Sequence, residues 1–385
     1  MMINSTNNNN SQRFKLNEFE KKKLLDLDKE YGELVDMYRH DRNTKDVVNL
    51  DEECEKFLNA RKRGIKYFPY IKLDGENKFY TDGILLRLKN LLHEFLNFNC
   101  YLSKYYIELL RDMITAVEVS FDIPHLHPRY TAMRAQKPSL ENYTLALQML
   151  KENPYQEVDT SDRTISGKKA AKIIQQHIDK LGYKWKVLLN KNIIPRMNVD
   201  VNKTMNVNPK AKFSEVDLEG LKKHEVEGHV ARRYYGLKTG LNLFCLGLRW
   251  RNTLDEGLAI WNSLHKCKKV KPNVKFNIAL KTIITYHLCD MDFCELFDMC
   301  KKLAPNMPDE SLFATLIRFK REFQDTSIKG GNGDDQSYFC GYQLVKKMNW
   351  AQRDDILKWN IGPDQIKDLP DIKQFFKVNK FESLI

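Results

Sequence analysis

His224-Glu225-Val226-Glu227-Gly228-His229 is the stretch on which the reading of this 385-residue chain turns. A catalytic zinc takes three protein ligands and leaves a fourth position to water. Two imidazoles with a carboxylate beside the first supply most of such a site, because that carboxylate can take the proton of the attacking water. The familiar zincin motif sets its histidines four apart on one helical face. Here the gap is five, which a regular α-helix spreads by about 140°. One extra residue in the turn brings the rings together again, so the spacing predicts a π-type wide turn from His224 to His229, with Gly228 allowing the distortion. Further on, Glu256 offers a third ligand. It also stands at N3 of a Thr253-Leu254-Asp255-Glu256 capping box, and the local sequence leaves cap and ligand equally open.

The flanks support a helix. Ser214 is a suitable N-cap with Asp217 three residues on, Phe213 and Leu218 can form a hydrophobic staple, and Leu218 and Leu221 carry one apolar face into His224. Gly236 is the expected left-handed terminator. Before this helix, three short runs, Trp185 to Leu189, Arg196 to Asp200 and Thr204 to Asn208, alternate like the strands of a small sheet with one buried face. The free edge of such a strand can hold an extended peptide. Gly167 to Leu181 reads as a helix, and the polar stretch Lys151 to Ser166, broken by Pro154, is the best boundary. Tyr31 to Tyr38, Ile84 to Phe98 and Ser139 to Leu150 have helical spacing, whereas Phe121 to Pro138 carries three prolines and reads as a connector. The expected organisation is a disordered tail over residues 1–13, a helical region over 14–150 and a catalytic region over 151–385. The fold class is α+β: mostly helical and zincin-like, with a small sheet beside the metal-binding helix.

Composition narrows the partners. The formal net charge is +12, and Val201 to Lys275 holds 15 Lys/Arg against 7 Asp/Glu. Lys266, Lys268, Lys269, Lys271 and Lys275 form the densest run. Such a field favours an acidic partner; a solvated basic surface is the plainer reading. No finger, RNP or KH signature supports nucleic acid, and no apolar stretch is long enough to span a membrane or to act as a secretory signal. The eight cysteines lack zinc-type pairs; Cys289, Cys294 and Cys300 fit a helix with buried thiols, which suits a reducing compartment. His125 and His127 read as loop residues, and His93, His265 and His287 lack ligand-like companions.

These blocks together resemble the microtubule-associated tyrosine carboxypeptidases, relatives of bacterial proteins named for a QEGLA motif. His224 to Val230 is similar to the family's HExxxH segment, and Leu246-Gly247-Leu248 to Asp255-Glu256-Gly257-Leu258-Ala259 to its EEGLA block. Asn49 to Arg61, Arg196-Met197-x-Val199, Phe213-Ser214-Glu215, Lys320-Arg321, Asp325-Thr326-Ser327 and Asp335-Gln336-x-Tyr338-x-x-Gly341 follow in the family's order. The resemblance covers roughly Asn49 to Lys347. Asp255 stands where the family has Gln or Glu, and Phe323-Gln324 and Gly333-Asp334 also depart from its pattern.

The resemblance implies zinc held by His224, His229 and Glu256, with Glu225 as general base. It further implies removal of a C-terminal tyrosine from an acidic tail such as that of α-tubulin, in the cytoplasm and on microtubules. A carboxypeptidase must also grip a free carboxylate, which suits an Arg fork. Arg321, then Lys320 and Arg196, are the candidates, with Tyr338 as a hydroxyl donor. Each has a structural alternative: an Arg321–Asp325 pair, a solvated Lys320, a strand-face Arg196, a core Tyr338. Two other readings stand beside this one, a broader zinc peptidase like the bacterial relatives and a non-catalytic microtubule-binding module.

Overall fold

The computed structural model of the chain describes residues 14–42, 47–72, 83–121, 137–191, 193, 196–200, 203–247, 253–320 and 324–384. The 1–13 tail, His125, His127 and Arg321 lie outside them, as does most of the expected 121–138 connector.

The fold is mostly helical with a small sheet, the α+β class read from the sequence. Among the described residues, the helices α1 (Glu18–Arg42), α2 (Leu50–Lys62), α3 (Ile84–Leu96) and α4 (Ser103–Phe121) come first. After them come α5 (Leu140–Glu152), β1 (Ile165–Ser166), α6 (Gly167–Lys180), β2 (Lys186–Leu189), β3 (Met197–Val199), β4 (Thr204–Val207) and β5 (Lys212–Phe213). Helix α7 (Glu215–Leu221) then runs without a break into a π-helical segment, Lys222–Val230, and on into α8 (Ala231–Lys238). The chain continues through α9 (Asn242–Leu246), α10 (Thr253–His265), α11 (Val274–His287), α12 (Phe293–Leu303), α13 (Asp309–Lys320), α14 (Gln336–Lys347), α15 (Trp350–Trp359) and α16 (Leu369–Val378). No helix among the described residues is long and apolar enough to cross a membrane.

Local signals explain several boundaries. Ser214 accepts from the Asp217 amide and Asp217 accepts from the Ser214 amide, the reciprocal box expected at the start of α7. Phe213 and Leu218 are both buried beside it. Ser139 and Ser166 cap α5 and α6 with the side-chain oxygen alone, accepting from the Asn142 and Lys169 amides, and Gly182, at φ 72°, ends α6 in the left-handed region. Gly236 does not end its helix. The chain stays helical through it to Lys238, and Gly240, at φ 84°, supplies the left-handed residue. Gly236 is instead a contact residue, since a Cβ there would lie 2.1 Å from the Phe244 carbonyl oxygen.

Among the described residues, β1 and β5 pair antiparallel, and a three-stranded sheet has the order β2-β4-β3, with β2 parallel and β3 antiparallel to β4. Met197 pairs with Val207 and Val199 with Met205. Met197, Met205 and Val207 are buried against α6, α7 and the π-helical segment. A second core joins α1, α3 and α4 to α9 and the C-terminal helices, and a third gathers α2, α5, α11, α12, α13 and α14.

Helix α10 is held between these cores. Leu254 and Leu258 enter one and Ile260 another, while Gly257 lies against Gly341 of α14. A Cβ on Gly341 would meet the Thr253 carbonyl oxygen at 1.9 Å, and one on Gly257 would meet the Gly341 carbonyl carbon at 2.3 Å. The two helices touch backbone to backbone, which fixes the height of α10 and hence of Glu256. Gly341→Ala overpacks this crossing and is expected to cost about 2–3 kcal/mol, whereas Leu86→Ala at an exposed site should stay within about 0.5 kcal/mol. Denaturant unfolding followed by circular dichroism checks this; equal midpoints for the two variants would contradict the crossing.

Candidate metal centre

The five-residue gap is accommodated by a π-helix. In Lys222–Val230 each turn holds more residues than an α-helical turn, which brings the His224 and His229 ring centres to 5.0 Å of each other. Such a turn is rare on its own merits and needs support from its surroundings. Val226, Gly228, His229 and Val230 are buried, and a Cβ on Gly228 would lie 3.0 Å from the Ala259 Cβ, so the segment packs closely on α10. Buried Asn262 of α10 donates to the Glu227 carbonyl at 3.0 Å. The Glu227 carboxylate binds Lys223 at 2.6 Å and His177 of α6 at 3.1 Å. These two partners draw its pKa down to about 2 against the opposing effect of burial.

Across from the two rings, Glu256 projects from the first turn of α10. Its Oε2 lies 3.7 Å from His224 Nε2 and 3.6 Å from His229 Nε2, and the three ligand atoms all fall within 4.8 Å of one another. Ligands about 2.0–2.1 Å from one tetrahedral ion sit about 3.4 Å apart, so the two Glu256–imidazole separations are within a few tenths of an ångström of that spacing. The same Oε2 is buried without a hydrogen-bond partner. A carboxylate oxygen in that position costs free energy unless something positive meets it, which fits a ligand and leaves the capping reading without support. His224, His229 and Glu256 can therefore hold a metal ion.

Both rings are oriented from behind. His229 Nδ1 lies 2.9 Å from Asp255 Oδ2, and His224 Nδ1 is 3.5 Å from Ser263 Oγ. Asp255 is in turn 3.6 Å from the Nε of Arg232, a residue with no exposed surface whose Nη2 donates to the Ile361 carbonyl. Burial raises the Asp255 pKa, but His229 and Arg232 outweigh it and keep the carboxyl ionised. Burial likewise disfavours a charged His229, but Asp255 and Glu256 outweigh it and raise its pKa. The two carboxylates thus favour positive charge at that ring, whether a proton or a metal ion carries it. For His224, burial dominates, with His229 adding to it, and the ring is held in the neutral form that ligates metal.

Glu225 follows His224 on the π-helical segment, and its charge acts on both His224 and Tyr338. Tyr338 of α14 stacks at 6.5 Å from the His224 ring. Glu256 first, then burial, raises its pKa far above the usual phenol value, so its hydroxyl keeps its proton.

The other expected residues are placed elsewhere. Lys320 has no exposed surface and donates to the Ile328 carbonyl at 2.6 Å; burial lowers its pKa to about 8. It holds the backbone near residue 328 and is neither solvated nor open to a ligand. Arg196 makes a two-pronged contact with Asp217, at 2.7 and 2.9 Å, locking the start of α7 to β3.

Sequence reading missed the cations that do stand by the centre. Lys281 Nζ lies 4.9 Å from the Tyr338 ring centre. Arg318 and Lys281 both bind Asp335, Arg318 at 2.5 and 2.9 Å and Lys281 at 3.0 Å. The Glu256 charge acts on both cations. A signal was available for Lys281, a lone cation in an apolar helical run after Ile278-Ala279-Leu280, where a charge needs a nearby counterion; Arg318 stands close to Lys320 and Arg321 and does not stand out in this way.

A search of the curated proteins finds no match. Among protein-family models, the one described as "Microtubule-associated tyrosine carboxypeptidase" matches residues 76–378. That span begins beyond the Asn49 to Arg61 block, runs past Lys347, and contains the whole metal centre. The chain belongs to the microtubule-associated tyrosine carboxypeptidase family.

Proposed function

We propose that this protein is a zinc carboxypeptidase that removes a C-terminal tyrosine from an acidic protein tail such as that of α-tubulin. Family membership supports carboxypeptidase activity and association with microtubules. The observation that carries the metal-dependent part is the convergence of His224, His229 and the partnerless Oε2 of Glu256. Imidazole nitrogens with one carboxylate oxygen form a donor set that suits zinc. In this reading the protein acts in the cytoplasm, and its eight free thiols suit a reducing compartment.

His224, His229 and Glu256 would hold the ion. When bound, zinc acts as a Lewis acid, polarising a carbonyl and acidifying water. Glu225 takes the proton of the attacking water and delivers it to the leaving amine. Tyr338, which keeps its hydroxyl proton, donates to the oxygen that becomes negative. Asp255 accepts from His229 Nδ1 and so presents Nε2 as the ligand atom. Lys281, Arg318 and Asp335 together carry one net positive charge beside Tyr338, and we assign them the terminal carboxylate of the substrate. Arg321 remains a further candidate for that contact, whereas Lys320 and Arg196 serve the fold in this reading.

Metal-loaded protein incubated with tyrosinated tubulin should shorten the α-tubulin tail by one tyrosine, read by intact mass. Glu225→Gln should retain the metal and lose about 10²–10⁴-fold in rate. Internal cuts, or near-normal turnover by this variant, would refute the assignment. Asp255→Asn keeps the shape of the side chain but can offer an N–H to His229 Nδ1, favouring the wrong tautomer. Its zinc affinity should fall about 10–100-fold in a chelator competition; wild-type affinity would show that Asp255 does not orient the ligand.

A further inference from the structure

Away from the metal centre, a cavity of about 310 Å³ opens between the turn at 153–156 and the segment at 270–276. Its lining includes Pro154, Leu264, Val270, Pro272, Phe276 and Tyr342, none of which belongs to the metal centre. His265, also on its wall, follows Glu256 by nine residues, about 14 Å along α10. The volume is at the low end of the roughly 300–1,000 Å³ of ligand sites, room for one bulky side chain.

The walls are tied together. Asn273, at φ 63°, accepts from the Gln156 amide at 2.9 Å and donates to the Gln156 carbonyl at 2.7 Å. On the far side of the segment, Glu219 accepts from the Lys268 amide at 2.7 Å, and Lys271 pairs with Asp217 at 3.4 Å. The cavity is thus formed before any ligand arrives, which lowers the ordering cost of binding.

The charge of one wall has one sign, while Glu152 and Glu157 flank the other. From Leu264 to Phe276 there is no Asp or Glu. Lys268, Lys269 and Lys275 are exposed and have no carboxylate partner among the described residues. A recess with apolar side chains on its walls, Lys275 in its lining and Lys268 and Lys269 on the same segment, matches a chain that alternates acidic residues with a bulky apolar one. It is a poorer match for single-stranded nucleic acid, whose bases stack on open aromatic faces. Trp261 is covered by His265 at 3.7 Å and by Arg353 at 4.4 Å, and Tyr342 is 4% exposed.

We propose that this cavity and the lysines of its adjoining 268–275 segment form a second peptide-binding site, which takes an acidic protein segment by one bulky apolar side chain. The site is independent of the catalytic reading, and it would let the protein hold an acidic partner at a place other than the bond it cuts.

The test uses the full-length protein and a fluorescein-labelled Glu-rich decapeptide with one central Phe, no Tyr and an amidated C-terminus, which a terminal-carboxylate site does not accept. Fluorescence anisotropy should show saturable binding that weakens as salt rises. The combined variant Lys268→Glu, Lys269→Glu, Lys275→Glu should lose at least about tenfold in affinity, with melting temperature and zinc content unchanged. Should that variant fold poorly, the peptides decide: replacing Phe by Gly, or Glu by Gln throughout, should each weaken binding to the wild type by at least about fivefold. No binding by the wild type, equal binding of the Phe and Gly peptides, or tighter binding of a single-stranded RNA of equal charge would overturn the proposal.

Discussion

Everything at the metal centre depends on the one extra residue in the turn between His224 and His229. In a regular helix the five-residue gap points the two rings apart; in the π-helical segment they meet Glu256 at 3.7 and 3.6 Å. The wide turn has little to recommend it locally, since π-helical hydrogen bonding is less favourable than α-helical. It is retained because its surroundings hold it from two sides. Glu227 anchors one side to His177 of α6, and Asn262 with Ala259 grips the other through a side-chain bond to the Glu227 carbonyl and a close Gly228 contact.

Helix α10 connects this local distortion to the whole fold. It carries Glu256 as a ligand, Asp255 behind one histidine, Ser263 behind the other, and Asn262 on the π-helical backbone. Its own position is set by the Gly257–Gly341 crossing and by apolar side chains in two cores. A partly buried constellation of this kind is precise because its supports are rigid elements whose rotamers are fixed by packing. The Asp255 carboxylate that replaces the family's longer Glu or amide Gln still reaches His229 at 2.9 Å, so the departure leaves the ring oriented.

Much of this was legible in the sequence, because the signals were local. The His spacing called for a wide turn, Ser214 and Asp217 announced the helix start, and the alternation of Met197, Val199, Met205 and Val207 marked the sheet. What escaped were consequences of distant contacts. Gly236 looks like a terminator, but its missing Cβ serves the approach of Phe244. Lys320 looks like a surface cation until Ile328 returns over it. Arg318 and Lys281 acquire meaning only when Asp335, at the N-cap of a third helix, brings them to Tyr338. The balance between cap and ligand at Glu256 was likewise undecidable from neighbours alone. It is tipped by an oxygen left without a hydrogen-bond partner.

The most direct measurement is anomalous diffraction at the zinc edge from crystals of the metal-loaded protein. The account requires one peak within bonding distance of His224 Nε2, His229 Nε2 and Glu256 Oε2, with residues 222–230 still π-helical. A peak bonded to other residues, no peak at this centre, or a regular α-helix there with diverging imidazoles would contradict it.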